Sequence, residues 1–382
     1  MNENLKKIKL AFALPLWNHH MGPVCAELAK LLGKDKFRLL LLLTKNASGY
    51  RAMTEAGWNL SPPRASWVVG YPEYDEEIKT GLYSSIIQTA EVLVLPTGYF
   101  SLPAVRERIS NGKLTFAIGE RLFKEPITWC RFLNPRWIKN CLVMRQLLSP
   151  KNVHYLTMGH WCAKDLELIR ACRGRIWRFG YWTDVPKSYP QREPLVNRRI
   201  RVGWAGRMLD WKQPDLLALA FSQLTNSERE SLELTFVGDG PFLNDLKHLV
   251  HEKKLEQCIK FQPSMASANV LDFMRSQDIY VFSSGRGEGW GAVLNEAMGQ
   301  GCAIIANVDA GSTLELIEPG VSGFTFSGND FKSITSYLRY FIRNPVCIHD
   351  MGRAAWQRIR EFTPNAGATY LIKLIDNVKH NV

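Results

Sequence analysis

The sequence predicts two α/β domains, each built around a parallel sheet. Three observations lead to this fold class. The chain has 382 residues, which is more than one hydrophobic core usually organises. Short apolar runs alternate with longer amphipathic stretches, as expected for strands that alternate with helices. The alternation is interrupted between Trp182 and Arg199 by a polar stretch with three prolines, which is typical of a linker.

The apolar runs define the expected elements of the first half. Six strands are predicted there: Ile8–Leu14, Phe37–Leu43, Ser66–Val69, Val92–Leu95, Leu114–Ile118 and Val153–Leu156. The helices between them include Val24–Leu32 and Trp137–Leu148. The first strand leads through a loop into a helix, and in open α/β sheets ligands bind at such turns.

The second half repeats this alternation more regularly. Its predicted strands are Ile200–Trp204, Leu232–Val237, Ile259–Phe261, Ile279–Ser283, Ala303–Ala306 and Gly323–Phe326. Its predicted helices are Pro214–Leu224, Phe242–Val250, Val270–Arg275, Ala292–Met298, Ser333–Ile342 and a C-terminal helix. We therefore expect an N-terminal domain over 1–182, a linker over 183–199 and a C-terminal domain over 200–362. The last segment, 363–382, is expected to form a helix that packs back toward the N-terminal domain.

Composition excludes several classes of protein. No apolar run reaches the roughly 18 residues of a membrane-spanning helix, and the first ten residues do not resemble a signal peptide. The eight cysteines are scattered and form no Cys-x-x-Cys pair, which argues against a zinc site or a disulfide framework. These features favour a cytoplasmic protein.

The net charge of +12 is unevenly distributed. Residues 1–200 carry 30 Lys and Arg against 16 Asp and Glu, whereas the remaining residues carry 18 against 20. A basic first half attracts anionic partners such as lipid headgroups, nucleic acid or a phosphorylated substrate. A solvated basic surface without a partner is the alternative that charge alone leaves open.

The strongest local signal lies between a predicted strand and a predicted helix, from Ser283 to Gly299. Glycines at positions 285, 287, 289 and 291 allow a ligand to approach the backbone closely. The free amides at the start of the following helix would favour a phosphate group. Glu288 precedes this helix and Glu296 lies about two turns into it. Two carboxylates on either side of an anion site suit a nucleotide sugar, which has hydroxyls at both ends and a diphosphate between them.

This segment resembles the retaining glycosyltransferases of family four, which have the GT-B fold of two Rossmann-like domains facing across a cleft. Their mark is a glutamate, seven intervening residues and a second glutamate, matched by Glu288 and Glu296. Gly289-Trp290-Gly291 is similar to the Gly-Phe-Gly of that family. The resemblance implies that Glu288 contacts the sugar, that Glu296 contacts the ribose and that the amides through Ala292 bind the distal phosphate.

A second segment, Gly203 to Gln213, resembles the Gly-Arg-Leu and Lys-Gly motifs of the same family. Gly206 and Arg207 come just after the first strand of the second domain, and Lys212 follows. Arg207 and Lys212 would stabilise the charge of a departing nucleoside diphosphate without a metal. Gln213 stands where the family usually has glycine. Two further segments look similar: Val237 to Pro241, expected to be mainly a structural turn, and Gln262, expected near the nucleobase.

The first half resembles the family in its fold only, and it should hold the acceptor. Its first loop contains Gly22, which could bring backbone near the donor, and His19 and His20, which could contact acceptor or phosphate. The predicted strand Leu114–Ile118 is followed by Glu120, where many relatives have a histidine. Glu120 could orient the sugar or act as a base toward the acceptor hydroxyl. A polar surface loop is the structural alternative for the first loop, and a helix-capping or salt-bridged glutamate is the alternative for Glu120.

The sequence shows no Asp-x-Asp motif after a strand and no metal-ligand spacing among its eight histidines. We therefore expect no metal and no cofactor. A nicotinamide dehydrogenase is disfavoured, because Trp290 occupies the place of the third glycine in Gly-x-Gly-x-x-Gly. A nucleotide-sugar epimerase of the same fold and a basic protein that binds nucleic acid or carbohydrate remain as alternatives. The twelve tryptophans form no regular ladder with basic residues, so nucleic acid is not expected as a partner.

The resemblance implies transfer of a sugar from a nucleoside diphosphate to a hydroxyl acceptor, with retained configuration. The acceptor is expected to be lipid-linked or a saccharide, as in assembly of surface polysaccharide or glycolipid. The basic first domain would then face an anionic membrane surface at the inner side of the plasma membrane.

Overall fold

The computed structural model describes residues 8–55, 59–125 and 133–380, and its strands form two separate parallel sheets. The N-terminal sheet contains β1 (Leu10–Leu14), β2 (Phe37–Leu41), β3 (Val68–Val69), β4 (Val92–Pro96), β5 (Thr115–Gly119), β6 (Val153–Thr157) and β7 (Ile176–Arg178). The C-terminal sheet contains β8 (Ile200–Ala205), β9 (Leu232–Val237), β10 (Ile259–Gln262), β11 (Ile279–Phe282), β12 (Ala303–Asn307) and β13 (Phe324–Phe326).

The two sheets share one topology. The strand order is β3-β2-β1-β4-β5-β6-β7 in the first and β10-β9-β8-β11-β12-β13 in the second. Each chain half starts in the middle of its sheet, runs to one edge and then crosses to the other side. The order reverses between β1 and β4 and between β8 and β11, where doubly wound sheets bind ligands. The prediction of two Rossmann-like α/β domains is confirmed.

Helices connect the strands and cover both sheets. Those of the N-terminal half are α1 (Gly22–Leu32), α2 (Ser48–Glu55), α3 (Asp75–Thr80), α4 (Leu82–Thr89), α5 (Pro103–Ser110), α6 (Pro135–Leu147) and α7 (His160–Leu168). Those that follow are α8 (Asp215–Ser222), α9 (Asn226–Glu230), α10 (Leu243–Glu252), α11 (Ser267–Ser276), α12 (Val293–Gly299), α13 (Thr313–Leu316), α14 (Phe331–Arg343), α15 (Val346–Ile359) and α16 (Pro364–His380).

Local chemistry explains several helix starts. The Asn134 side chain accepts the amides of Arg136 and Trp137 at the start of α6, and Thr225 forms a capping box with Glu228 at α9. The strand β7 has no counterpart in the sequence prediction. It has only three residues, all partly or fully exposed, so it shows neither a buried run nor a clear alternation. Residues 179–199 form no helix or strand.

The strands show why short apolar runs predicted them. Along β1, Leu10, Phe12 and Leu14 enter one core cluster, while Ala11 and Ala13 enter the cluster on the opposite face. A strand buried on both faces reads as a continuous apolar run. The C-terminal sheet is likewise covered on both faces.

The chain ends on the N-terminal half of the molecule. Helix α16 contributes Leu371, Leu374 and Val378 to the core cluster that contains Val24 and Leu28 of α1. Asn365 donates a hydrogen bond to Glu27 over 3.0 Å, and Lys379 pairs with Glu91 over 2.8 Å. The last helix therefore packs against the first one.

Two further predictions concern disulfide bonds and membrane-spanning helices. The seven described cysteines form no disulfide, and Cys130 lies outside the described residues. Among the described helices, none has the length and hydrophobicity that crossing a bilayer requires.

Candidate active site

Two loops of the C-terminal domain lie together at the point where its strand order reverses. One follows β8 and the other, the glycine-rich loop, follows β11. The Ser283 hydroxyl donates to the carbonyl of Lys212 over 2.7 Å and accepts from the Trp204 indole over 2.9 Å. The Gly285 amide donates to the Trp211 carbonyl over 2.8 Å. The structure thus joins the two segments that carry the sequence motifs.

These loops bring Lys212 and Glu288 into an ion pair. Both side chains are largely buried, with 19% and 15% of their surface exposed. Arg207 is exposed on the first loop and makes no ion pair with another described residue. The site therefore contains one cation that is held by a carboxylate and one that is open to an anionic ligand.

Gln213, the departure from the resembled motif, has a left-handed backbone with φ 48°. This conformation explains why glycine is usual at this place, because a side chain there costs roughly 1 kcal/mol. The Gln213 side chain donates to Asn329 over 2.6 Å and accepts from Asn307 over 3.3 Å. These hydrogen bonds offset the backbone cost and fix the end of the Lys212 turn.

Two glycines of the loop are required by their surroundings. A Cβ at Gly289 would lie 2.0 Å from a carboxylate oxygen of Glu120. Gly291 has φ 88°, and a Cβ there would lie 2.3 Å from the Phe282 ring. Gly289 is thus the point where the loop meets the N-terminal domain, and Gly291 allows the turn into α12.

The side chain of Trp290 points away from the loop surface. It is 1% exposed, its ring lies against Gly180, and its indole donates to Asn295 over 2.8 Å. Ala292 is also buried. For these two predicted donor-binding residues, only the backbone could contact a ligand.

Glu120 lies at the end of β5 and reaches across to the glycine-rich loop. Its carboxylate accepts a hydrogen bond from the Tyr181 hydroxyl over 2.9 Å. Burial raises the pKa of Glu120, while the Tyr181 hydrogen bond and the charges of Lys124 and Lys212 oppose that rise. The predicted acceptor-side carboxylate therefore lies beside the predicted donor loop.

Sequence reasoning missed Tyr181, which contacts three parts of the site. Besides its bond to Glu120, it stacks on the His20 ring with centroids 5.2 Å apart. Its carbonyl accepts from Asn295 of α12 over 3.1 Å, and its ring meets Trp290 edge-on. Burial holds the pKa of its phenol above the usual range. Tyr181 precedes the linker and carries no motif, so no sequence signal could have identified it.

Glu296 also meets the other domain. It lies in the first turn of α12, because that helix begins only at Val293; the expected position two turns into the helix was wrong. One of its oxygens lies 3.6 Å from Nε2 of His19. The first loop of the N-terminal domain thus reaches the second glutamate of the motif.

His20 stands beside this pair and is largely buried. Its Nδ1 has no hydrogen-bond partner among the described residues. Burial, helped by the neighbouring His19, lowers the pKa of His20 to about 3, so the ring is neutral at physiological pH. The His20 ring therefore presents a flat, uncharged surface to Tyr181.

His19, His20 and Glu296 together form the one group of described residues with metal-ligating atoms in mutual reach, within 4.8 Å of one another. The spacing of histidines in the sequence gave no sign of this group, because Glu296 comes from the other domain. Two adjacent histidines and one carboxylate could hold a divalent ion, and Glu296 is also the residue expected to bind ribose.

The remaining predicted site residues have clear local roles. Gly22 begins α1, and a Cβ there would lie 2.7 Å from the Trp17 ring. The Gly206 carbonyl packs so closely on Gly238 that a Cβ at 238 would lie 2.0 Å from it. Gln262 is exposed at the end of β10, and its carbonyl accepts the Gly238 amide over 3.1 Å. The turn at 237–241 thus braces the first motif loop.

The hydrogen bonds that join the segments after β6 and β12 were not predicted. The His160 amide donates to the Gly311 carbonyl over 3.0 Å, and the Trp161 indole donates to the Val308 carbonyl over 2.8 Å. A Cβ at Gly311 would lie 1.7 Å from the Gly289 carbonyl. The segment after β12 therefore packs against the glycine-rich loop and also forms hydrogen bonds with the N-terminal domain.

Comparison with known families bears on the same residues. The region from 187 to 358, a little under half of the chain, matches the family described as Glycosyl transferases group 1. This part of the chain is therefore similar to the group 1 family. The matched region contains both motif loops and all of the strands β8–β13.

Curated relatives match over a similar region. An uncharacterized glycosyltransferase of Methanocaldococcus jannaschii is 28% identical over 153 residues, which is 40% of this chain and 38% of that protein. A GDP-mannose-dependent alpha-mannosyltransferase of Corynebacterium glutamicum is 27% identical over 181 residues, 47% of this chain and 40% of that protein. The chain thus spans about two fifths of the length of these relatives.

Solved structures are similar over the whole chain. The Anabaena protein HepE in complex with UDP superposes with a TM-score of 0.71 at 16% identity, covering 97% of this chain and all of that one. The lipopolysaccharide outer core galactosyltransferase WaaB gives 0.70 at 12% identity, covering 97% and 99%. The two parallel-sheet domains of this protein therefore have the GT-B fold.

Proposed function

We propose that this protein is a glycosyltransferase that moves a sugar from a nucleoside diphosphate to a hydroxyl acceptor bound between its domains. The observation that carries the proposal is the meeting of Lys212, Glu288 and Glu120 at one glycine-rich loop. Two of these residues belong to the C-terminal domain and the third comes from the other domain. Similar structures contain UDP or UDP-glucose, which supports a donor of this class.

The ion pair between Lys212 and Glu288 suggests how the donor is held. A diphosphate would compete with Glu288 for the Lys212 ammonium, and the released carboxylate could accept hydrogen bonds from sugar hydroxyls. Arg207 and Lys212 would then stabilise the charge that develops on the leaving diphosphate. Two cations can serve this purpose without a metal, so we propose metal-independent transfer. Retention of configuration is proposed from the family resemblance.

We propose that Glu120 is the base that takes the proton from the acceptor hydroxyl. A carboxyl group with a raised pKa is a stronger base than an exposed one, so it suits proton removal from a hydroxyl near neutral pH. Closure of the cleft would exclude water and limit donor hydrolysis. We further propose an acceptor that is lipid-linked or a saccharide, in assembly of surface polysaccharide or glycolipid. A putative colanic acid biosynthesis glycosyltransferase of Salmonella typhimurium is 29% identical over 130 residues, which supports this setting.

A thermal-shift screen of nucleoside diphosphates and their sugars tests the donor proposal. A donor at a hundredfold excess over its dissociation constant should stabilise the fold by about 3 kcal/mol. Lys212→Ala should abolish this shift, whereas Lys332→Ala, which removes an exposed lysine of the same domain, should retain it. No shift with any nucleotide would contradict the proposal. Conversion of the donor sugar without any acceptor would indicate an epimerase instead.

A further inference from the structure

The first loop of the N-terminal domain and the start of α12 bring three side chains with metal-ligating atoms together across the cleft. Nitrogens of His19 and His20 and a carboxylate oxygen of Glu296 all lie within 4.8 Å of one another. Nε2 of His19 is 3.6 Å from the nearer Glu296 oxygen. Ligands bound at about 2.1 Å in a tetrahedral site lie roughly 3.4 Å apart, so this pair already has nearly the spacing that an ion requires.

The backbone that carries both histidines is fixed by a turn at Asn18. The carboxamide oxygen of Asn18 accepts the amide of His20 over 3.1 Å and that of Met21 over 2.9 Å. The His20 ring is held in addition by its stacking on Tyr181. The ligand atoms are therefore in place before an ion arrives, which lowers the cost of binding one.

The same group lacks partners for its shielded polar atoms. Nδ1 of His20 is buried and has no hydrogen-bond partner among the described residues. The Glu296 side chain is only 19% exposed, and no described Lys or Arg forms an ion pair with it. A carboxylate and an imidazole nitrogen that are shielded from water are costly unless something binds them. One divalent cation would satisfy both.

We propose that His19, His20 and Glu296 form a zinc site that joins the two domains. Zinc takes imidazole nitrogens and carboxylate oxygens in tetrahedral sites, and it is bound elsewhere by two histidines and a glutamate with one position left open. Magnesium and calcium prefer sites built from oxygen ligands, so they fit this group poorly. The ion has no part in the transfer of the sugar.

Zinc at this site would exclude the donor. Glu296 is the residue expected to bind the donor ribose, so this consequence rests on the proposed function. A carboxylate that holds zinc no longer accepts hydrogen bonds from ribose hydroxyls, and zinc and donor therefore compete for one side chain. By linkage, each ligand weakens the binding of the other. The proposed regulation is inhibition by zinc.

Calorimetric titration of the whole protein with zinc chloride, in the absence of nucleotide, tests the site. We expect a single ion per chain and no binding of magnesium chloride at the same concentrations. His19→Ala, His20→Ala and Glu296→Gln should each weaken zinc binding about a hundredfold or more, because loss of an outer-shell partner alone costs about ten- to a hundredfold. His251→Ala, which removes an exposed histidine that also faces a glutamate, should stay within about threefold of the unchanged protein.

A second titration, with the nucleotide that stabilises the protein most, measures the competition. Zinc at a tenfold excess over its dissociation constant should raise the apparent dissociation constant of the nucleotide about tenfold. His19→Ala should bind the nucleotide equally well with and without that zinc. The His19 side chain is 49% exposed, so its removal leaves the buried stacking of His20 in place. Unchanged melting temperatures of the variants without zinc would show that they remain folded.

Three results would overturn the zinc site. These are absence of zinc binding, equal zinc affinity in the unchanged protein and the three ligand variants, and equal binding of zinc and magnesium. Zinc that binds without changing nucleotide affinity would overturn the competition. A protein that binds zinc but no nucleotide would contradict the proposed function, whereas one that binds nucleotide but no zinc would contradict the zinc site alone.

Discussion

The two sides of the cleft differ in what holds their functional residues in place. On the C-terminal side, hydrogen bonds to backbone carbonyls position Lys212 and Glu288: the Ser283 hydroxyl donates to the carbonyl of Lys212, and the Gly285 amide donates to that of Trp211. On the N-terminal side, Glu120 is held by a side chain, Tyr181, and by its contact with Gly289 of the other domain. Backbone-positioned sites leave glycines and motifs in a sequence, whereas side-chain partners from distant segments leave none.

The largest effect is expected from Lys212→Ala. It removes a cation that would stabilise the leaving diphosphate and leaves Glu288 without its partner. We expect a loss of about a hundred- to a thousandfold in kcat, the usual cost of removing one group that stabilises developing charge. Steady-state transfer assays check this, with Lys332→Ala as the control. A loss smaller than about tenfold would show that Lys212 contributes little to stabilising the leaving diphosphate.

Glu120→Gln tests the opposite side of the cleft. The substitution keeps the size of the side chain and removes its ability to take a proton, so we expect roughly a hundredfold loss in kcat with little change in donor binding. Transfer kinetics and calorimetric titration with the donor measure the two separately. Glu73→Gln, an exposed glutamate of the same domain, is the control. A loss of donor affinity without a loss in kcat would make Glu120 a binding residue.

Tyr181→Phe tests whether the hydrogen bond from Tyr181 to Glu120 affects activity. The Tyr181 hydroxyl stabilises the charged form of Glu120 and so opposes the rise in its pKa that burial causes. Without this hydrogen bond the pKa of Glu120 rises further. Because the carboxylate of Glu120 is the proposed base, the acid limb of the pH–rate profile moves to higher pH. Activity recovers at pH values well above the pKa of Glu120 in both the unchanged protein and the variant. We expect about a tenfold loss on the acid side.

The control for this variant is a tyrosine of the linker that follows Tyr181. Tyr189 has a buried hydroxyl with no hydrogen-bond partner among the described residues, so Tyr189→Phe should leave the pH–rate profile in place. An unshifted acid limb in Tyr181→Phe, together with unchanged activity, would contradict the positioning role of Tyr181.

Gln213→Gly should have the smallest effect. It relieves the left-handed backbone, which costs roughly 1 kcal/mol, and loses two side-chain hydrogen bonds that contribute about 1 kcal/mol each. We expect the free energy of unfolding to change by at most about 1 kcal/mol and kcat to stay within about threefold. Urea denaturation and transfer assays check both. A large loss of activity would mean that the Gln213 side chain contacts substrate.

The sequence predicted the parts of the molecule that depend on local pattern. Strands buried on both faces, such as β1 and β9, appear as apolar runs, and the glycine-rich loop appears as alternating glycines because its backbone is crowded by Glu120 and Phe282. The partly exposed strand β7 has no such pattern and was missed.

The rest of the site depends on how the domains lie against each other. The pairing of His19 with Glu296 joins residues 277 positions apart, and that of His160 with Gly311 joins the segments after β6 and β12. No local pattern encodes such contacts. The expected position of Glu296 two turns into α12 was also wrong, because Glu296 lies in the first turn of that helix.

Hydrogen exchange measured by mass spectrometry, with and without the nucleotide sugar that stabilises the protein most, tests whether the donor binds between the two domains. We expect slower exchange on both sides of the cleft at once: in the C-terminal loops around Lys212 and Glu288, and in the N-terminal segments around His19 and Glu120. Protection that spares both C-terminal loops, or no protection anywhere, would contradict a donor site between the two domains.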